Sequence, residues 1–152
     1  MLNDASRNLK PPYLLFLGDA DPELGAKTAQ GIAHWKPDIC VGQLSLPECA
    51  VSVGLDEITL EQAKNRDAQS LVIGVASHGG VIAKTWMPSI RAALEMGFDI
   101  VSGLHERLSS HVDLVDLATR HRCKLHDVRH ADFPIRVGDG EKRTGKRLLT
   151  VG

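Results

Sequence analysis

The chain has 152 residues, 43% hydrophobic and 24% charged, enough for one domain with a substantial core. A formal charge of −1 supplies no field favouring nucleic acid or an anionic membrane, and no apolar run approaches the ~20 residues of a membrane span. Cys40, Cys49 and Cys123 are odd in number and lack CxxC spacing, which argues against a disulfide framework or a metal site. With a polar Met1–Lys10 that carries no secretory pattern, this points to a reduced, cytoplasmic protein.

In chain order, residues 1–12 read as a polar tail and Tyr13–Leu17 (YLLFL) as the first strand. A helix follows the acidic turn, with Asp21 as cap, Pro22 at its first position and Leu24, Thr28, Ile32 and Trp35 on one face. Ile39–Gly42 (ICVG) is the second strand, and TLEQ opens a short helix with Thr59 and Gln62 at capping-box spacing. Leu71–Ala76 (LVIGVA) precedes a helix from Pro88 that Gly97 closes. Asp99–Gly103 (DIVSG) precedes a helix introduced by Ser110 and Asp113 and ending on Arg120, His121 and Arg122. Lys124–Val128 (KLHDV) is the fifth strand.

Near-continuous apolar runs suit strands covered on both faces, and the βαβα alternation predicts a Rossmann-like, doubly wound α/β domain over 13–130. Its sheet is expected to be mainly parallel, with five to six strands and helices on both faces. Residues 131–147 read as a linker and 148–152 (LLTVG) as the first strand of a further domain.

The chemistry is expected where strands end, since open α/β sheets bind ligands beyond their carboxyl edge. Gly140–Lys146 matches the start of a phosphate loop, but Arg147 replaces the required hydroxyl and a strand follows instead of a helix. The first turn lacks G-x-G-x-x-G and carries Asp19, Asp21 and Glu23, which would compete with a pyrophosphate. Lys27 and Thr28, one turn on, face either a ligand or solvent. Ser77-His78-Gly79-Gly80 follows the central strand, where a glycine pair lets backbone approach a ligand or makes a tight turn. Trp86 behind it reads as a core or lid aromatic. His105 with Glu106 is a candidate acid–base pair after the fourth strand. Arg129, after the fifth, either pairs with Asp127 or contacts a carboxylate or phosphate. His78, His105 and His126 would share one sheet edge, but without the spacing of a zinc site.

Taken together, AKTA (Ala26–Ala29), the Gly79-Gly80 pair with Trp86, GLH (Gly103–His105), DVR (Asp127–Arg129) and the closing LLTVG resemble a two-domain bacterial family. That family is long catalogued as of unknown function, and some members are assigned as D-glutamate or D-amino-acid N-acetyltransferases. This chain departs from it in having His78 before the glycine pair and Ile82-Ala83 after it, where proline is common. The resemblance covers nearly all of Tyr13–Gly152 and implies a Rossmann-like N-terminal domain joined to a C-terminal P-loop domain, inactive without it. It further implies acetyl-CoA as acyl donor and an amino-acid substrate. For such a substrate, the strand-end positions make Lys27, Thr28, His78, Gly79, Gly80, Asp127 and Arg129 the candidate contacts, with His105 or Glu106 as the candidate base. Two rival readings stand beside it: a nucleotide- or dinucleotide-binding oxidoreductase-like domain, and a non-catalytic ligand-binding or homo-oligomerising module. The acidic first turn argues against the former.

Overall fold

The computed structural model describes residues 9–22, 25–130 and 144–145. The expected linker and terminal strand therefore lie outside the described residues, except for Thr144 and Gly145. Strands β1 (Tyr13–Gly18), β2 (Cys40–Ser45), β3 (Ser70–Ile73), β4 (Asp99–Ser102) and β5 (Leu125–Asp127) form one sheet. All neighbours pair in parallel, in the order β2-β1-β3-β4-β5. The chain winds from β1 out to β2, then returns past β1 to β3, so winding reverses between β1 and β3.

Side chains alternate between the two faces of the sheet, and both faces are buried. Leu14, Phe16, Leu71, Ile73 and Ile100 face the helices α2 (Leu60–Asn65), α3 (Met87–Glu95) and α4 (Val112–His121). These helices contribute Ala63, Ile90, Ala93, Leu94, Leu114 and Ala118 to the same core. Leu15, Leu17, Val72 and Val101 face the other way, toward Ala29 of α1 (Lys27–Trp35) and the preceding Ala26. Each fully buried leucine here contributes about 1.5–3 kcal/mol. Helices thus cover both faces, as the alternation required. No helix among the described residues is long and apolar enough to cross a membrane.

Local starts and stops differ from expectation where tertiary geometry overrides pattern. Helix α1 begins at Lys27 after Ala26, well beyond Asp21–Pro22. Gly25 has φ +62° and donates its N–H to the Asp21 carbonyl at 2.9 Å, a turn that a right-handed helix cannot pass through. Trp35, expected on the buried face, is 78% exposed, and Ala29 takes the contact instead. The reason is Gly74, where a side chain would overlap Ala29; backbone and helix approach so closely that Ala29 N–H donates to the Gly74 carbonyl at 3.1 Å. The Thr59–Gln62 capping box is present as expected. Helix α4 starts one residue late, with His111 rather than Ser110 at its cap. Residues 108–110 instead form a 3₁₀ turn, and Ser110 Oγ donates to the Arg107 carbonyl at 2.7 Å.

Candidate functional site

A cleft of about 670 Å³ opens beyond the carboxyl ends of β3 and β4. Ile73, Val75 and Leu104 give it an apolar floor, while Thr28, Ser77, Gly79, Gly80, His105 and Arg129 supply its polar wall. Thr28, Gly79, Gly80, His105 and Arg129 therefore share one space, drawn from α1 and three separate strand ends. Lys27 and His78 are exposed and do not line it.

The glycine pair turns with φ +73° at Gly79 and +67° at Gly80, conformations that residues with a β-carbon seldom adopt. This turn is tied to the loop after β4. Glu106 N–H donates to the Gly80 carbonyl at 2.9 Å, and Ile82 N–H donates to Glu106 Oε2 at 2.6 Å. Glu106 Oε1 meets His111 Nε2 at 2.9 Å. The imidazole of His105 rests against Gly80, where any β-carbon would overlap it. Behind it the His105 carbonyl lies 3.0 Å from His130 Nε2; a carbonyl only accepts, so that ring nitrogen carries the proton.

Asp127 does not pair with Arg129. Its carboxylate caps the 108–110 turn, accepting from Leu108 N–H at 2.7 Å, Ser109 N–H at 3.2 Å and Ser109 Oγ at 2.7 Å. Arg129 is exposed and has no hydrogen-bond or ion-pair partner among the described residues. His126 does not join the site either. It is partly buried on the edge strand β5, its Nε2 3.5 Å from Asp99 Oδ2, with Lys10 Nζ 3.4 Å from the same oxygen. The shared histidine edge thus reduces to His105 in the cleft. Among the described residues, no group of three His, Cys, Asp or Glu side chains is placed to hold a metal ion.

At the winding reversal a Rossmann fold usually receives its ligand, but the α3 side of this point is occupied. Trp86, 2% exposed, donates Nε1–H to Asp19 Oδ1 at 2.5 Å, and Thr85 Oγ1 donates to Asp19 Oδ2 at 2.7 Å. The indole hydrogen bond holds the Asp19 carboxyl below its ordinary range, with the Thr85 bond assisting. Asp19 of the acidic first turn is thus committed to fixing the 84–86 turn. Sequence spacing carries no sign of this bond, which joins residues 67 apart. The same holds for His111 and His130, whose roles follow from what lies across the fold. Burial pushes the thiols of Cys40 and Cys123 up, away from the reactive thiolate.

Residues 47–131 match the family described as Domain of unknown function (DUF1611_N), a Rossmann-like domain. The chain is 47% identical over 144 residues to a protein of Pseudoalteromonas sp named D-glutamate N-acetyltransferase. It is 51% identical over 144 residues to a protein of the same name from Tritonibacter scottomollicae. Each alignment covers 95% of this chain but 43% of the relative, so the chain spans less than half the length of either. The crystal structure of a DUF1611 family protein from Anabaena variabilis shares the fold, with a TM-score of 0.65 at 24% identity. That match covers 84% of this chain and 40% of the other. The chain belongs to the DUF1611_N family of Rossmann-like domains.

Proposed function

We propose, taking membership of that family as the premise, that the chain is the Rossmann-like N-terminal part of an acetyl-CoA-dependent N-acetyltransferase acting on a D-glutamate-like amino acid. The observation that carries this reading is that His105 and Arg129, an imidazole and a guanidinium without a described partner, face one cleft at the carboxyl edge of the sheet. The names of the two relatives support the reaction class.

An amino acid offers a carboxylate that Arg129 grips through its fork of N–H donors. Its amine attacks the thioester carbonyl while His105 accepts the proton that the nitrogen loses. The N–C bond forms, the C–S bond breaks, and the departing thiolate takes up a proton. The hydroxyls of Thr28 and Ser77 and the backbone of Gly79 and Gly80 supply the remaining polar contacts, with Lys27 and His78 outside the lining. Among the described lining residues Arg129 is the one Lys or Arg, which suits a carboxylate better than the several phosphates of coenzyme A. Those phosphates are assigned in this reading to a P-loop domain in the remaining length that the relatives possess. The described cleft alone would then bind the acceptor without turning it over, and the enzyme would work in the cytoplasm beside its acyl donor.

The test is steady-state kinetics of the full-length protein with acetyl-CoA and D-glutamate. His105→Ala is expected to lower kcat by about 10²–10⁴-fold, the usual contribution of a general base. Arg129→Ala is expected to raise KM for the amino acid. Wild-type constants in both variants would remove the cleft from the reaction.

A further inference from the structure

We infer that Glu106 is a positioning residue, a brace that fixes the glycine turn beneath His105, rather than a proton acceptor; this rests on the cleft being the reactive site. Both carboxylate oxygens are already engaged, one by the Ile82 N–H at 2.6 Å and the other by His111 Nε2 at 2.9 Å. Its backbone N–H adds a third bond, to the Gly80 carbonyl at 2.9 Å. One residue therefore ties together the loop after β3, the loop after β4 and the start of α4. To act as a base Glu106 would have to release what holds the site's shape.

The ties bear directly on His105. The loop from Ser77 to Ala83 joins no strand, and its internal ties are one 3₁₀ turn at His78–Gly80, closed by Gly80 N–H on the Ser77 carbonyl, and the bond Ser77 Oγ makes to the Val81 carbonyl. Ile82 is the point at which it is pinned from outside, and Gly80, two residues earlier, forms the surface on which the imidazole rests. The following residue of the same β4 loop supplies the pin, so the ring and the surface beneath it are set by a single side chain. An ionised carboxylate accepts from Ile82 and from His111 together. A carboxamide has one acceptor oxygen, so Glu106→Gln turns an N–H group either on the Ile82 N–H or on the His111 ring.

The experiment combines kinetics with amide NMR on the full-length protein, using acetyl-CoA and D-glutamate as probes. A short bond to a carboxylate is expected to place the Ile82 amide proton downfield, and Glu106→Gln is expected to move it upfield. In the same variant kcat/KM is expected to fall roughly 10- to 100-fold, the scale of a misplaced but intact site. His111→Gln, which keeps a donor toward Glu106, is expected to stay near wild type, while His111→Ala follows Glu106→Gln. A loss of about 10³–10⁴-fold in kcat with the Ile82 amide resonance unmoved would make Glu106 the base and overturn the inference. So would an Ile82 resonance that Glu106→Gln leaves in place. If His105→Ala and Arg129→Ala both turn over normally, the cleft reading fails by itself, and with it the kinetic role of Glu106.

Discussion

The imidazole of His105 packs on the α-carbon of Gly80, and a β-carbon added there would meet both Cβ and Cγ of the histidine at 3.0 Å. The position also requires φ +67°, so the glycine answers two demands at once.

Gly80→Ala is therefore expected to displace the ring while leaving the remote core intact. Its kcat/KM should fall by about 100-fold, as for a misplaced catalytic group. Far-UV circular dichroism should be unchanged. Normal turnover in this variant would show that the placement of His105 does not govern the reaction.

Asp19 links the β1 turn to Trp86, and its carboxyl titrates below the ordinary value of 3.8 in the folded protein. Its bonds thus stabilise fully above the unfolded range and are lost as pH falls through the lower folded value. Asp19→Asn is expected to cost about 1–2 kcal/mol near neutral pH, the low end for bonds to a charged group because the side chain is only half-buried. Urea unfolding at pH 7 and pH 3 should show the gap between wild type and variant narrowing at the lower pH. A gap that does not change would mean that the ionised form carries no special weight.

Gly74→Ala forces a β-carbon toward the Cα and N of Ala29, at 3.0 and 3.1 Å, where backbone rather than a flexible side chain must yield. The expected loss is about 2–3 kcal/mol, measured by chemical denaturation. Stability equal to wild type would mean that α1 can lift from β3 at no cost.

Thr59→Ala removes one half of the α2 capping box, in which Gln62 N–H donates to Thr59 Oγ1 at 3.2 Å. A loss of about 1 kcal/mol is expected, with faster amide hydrogen exchange in the first turn of α2 and little change elsewhere.

The strands were legible because burial on both faces makes an apolar run nearly continuous, as in LLFL, where Leu14–Leu17 are fully buried. The cleft residues were legible for a related reason: Gly79, Gly80, His105 and Arg129 each follow a strand on the same edge of the sheet. What the spacing could not carry was the duty of each charged group. Glu106 and Asp127 look as available as any acid after a strand, yet Ile82 and Ser109, 24 and 18 residues away, claim their oxygens. The start of α1 was hidden for a different reason. Asp21 and Pro22 make a good local helix opening, and only the positive φ of Gly25, set by how the turn leaves β1, cancels it.

The two tryptophans sit in opposite surroundings: Trp35 is 78% exposed, while Trp86 is 2% exposed with its Nε1–H on a carboxylate. The protein thus carries its own optical probe. With Trp35→Phe, the remaining fluorescence comes from an indole at the far end of the glycine-loop segment. Its emission maximum and resistance to iodide quenching then report whether that segment holds or yields when the cleft fills.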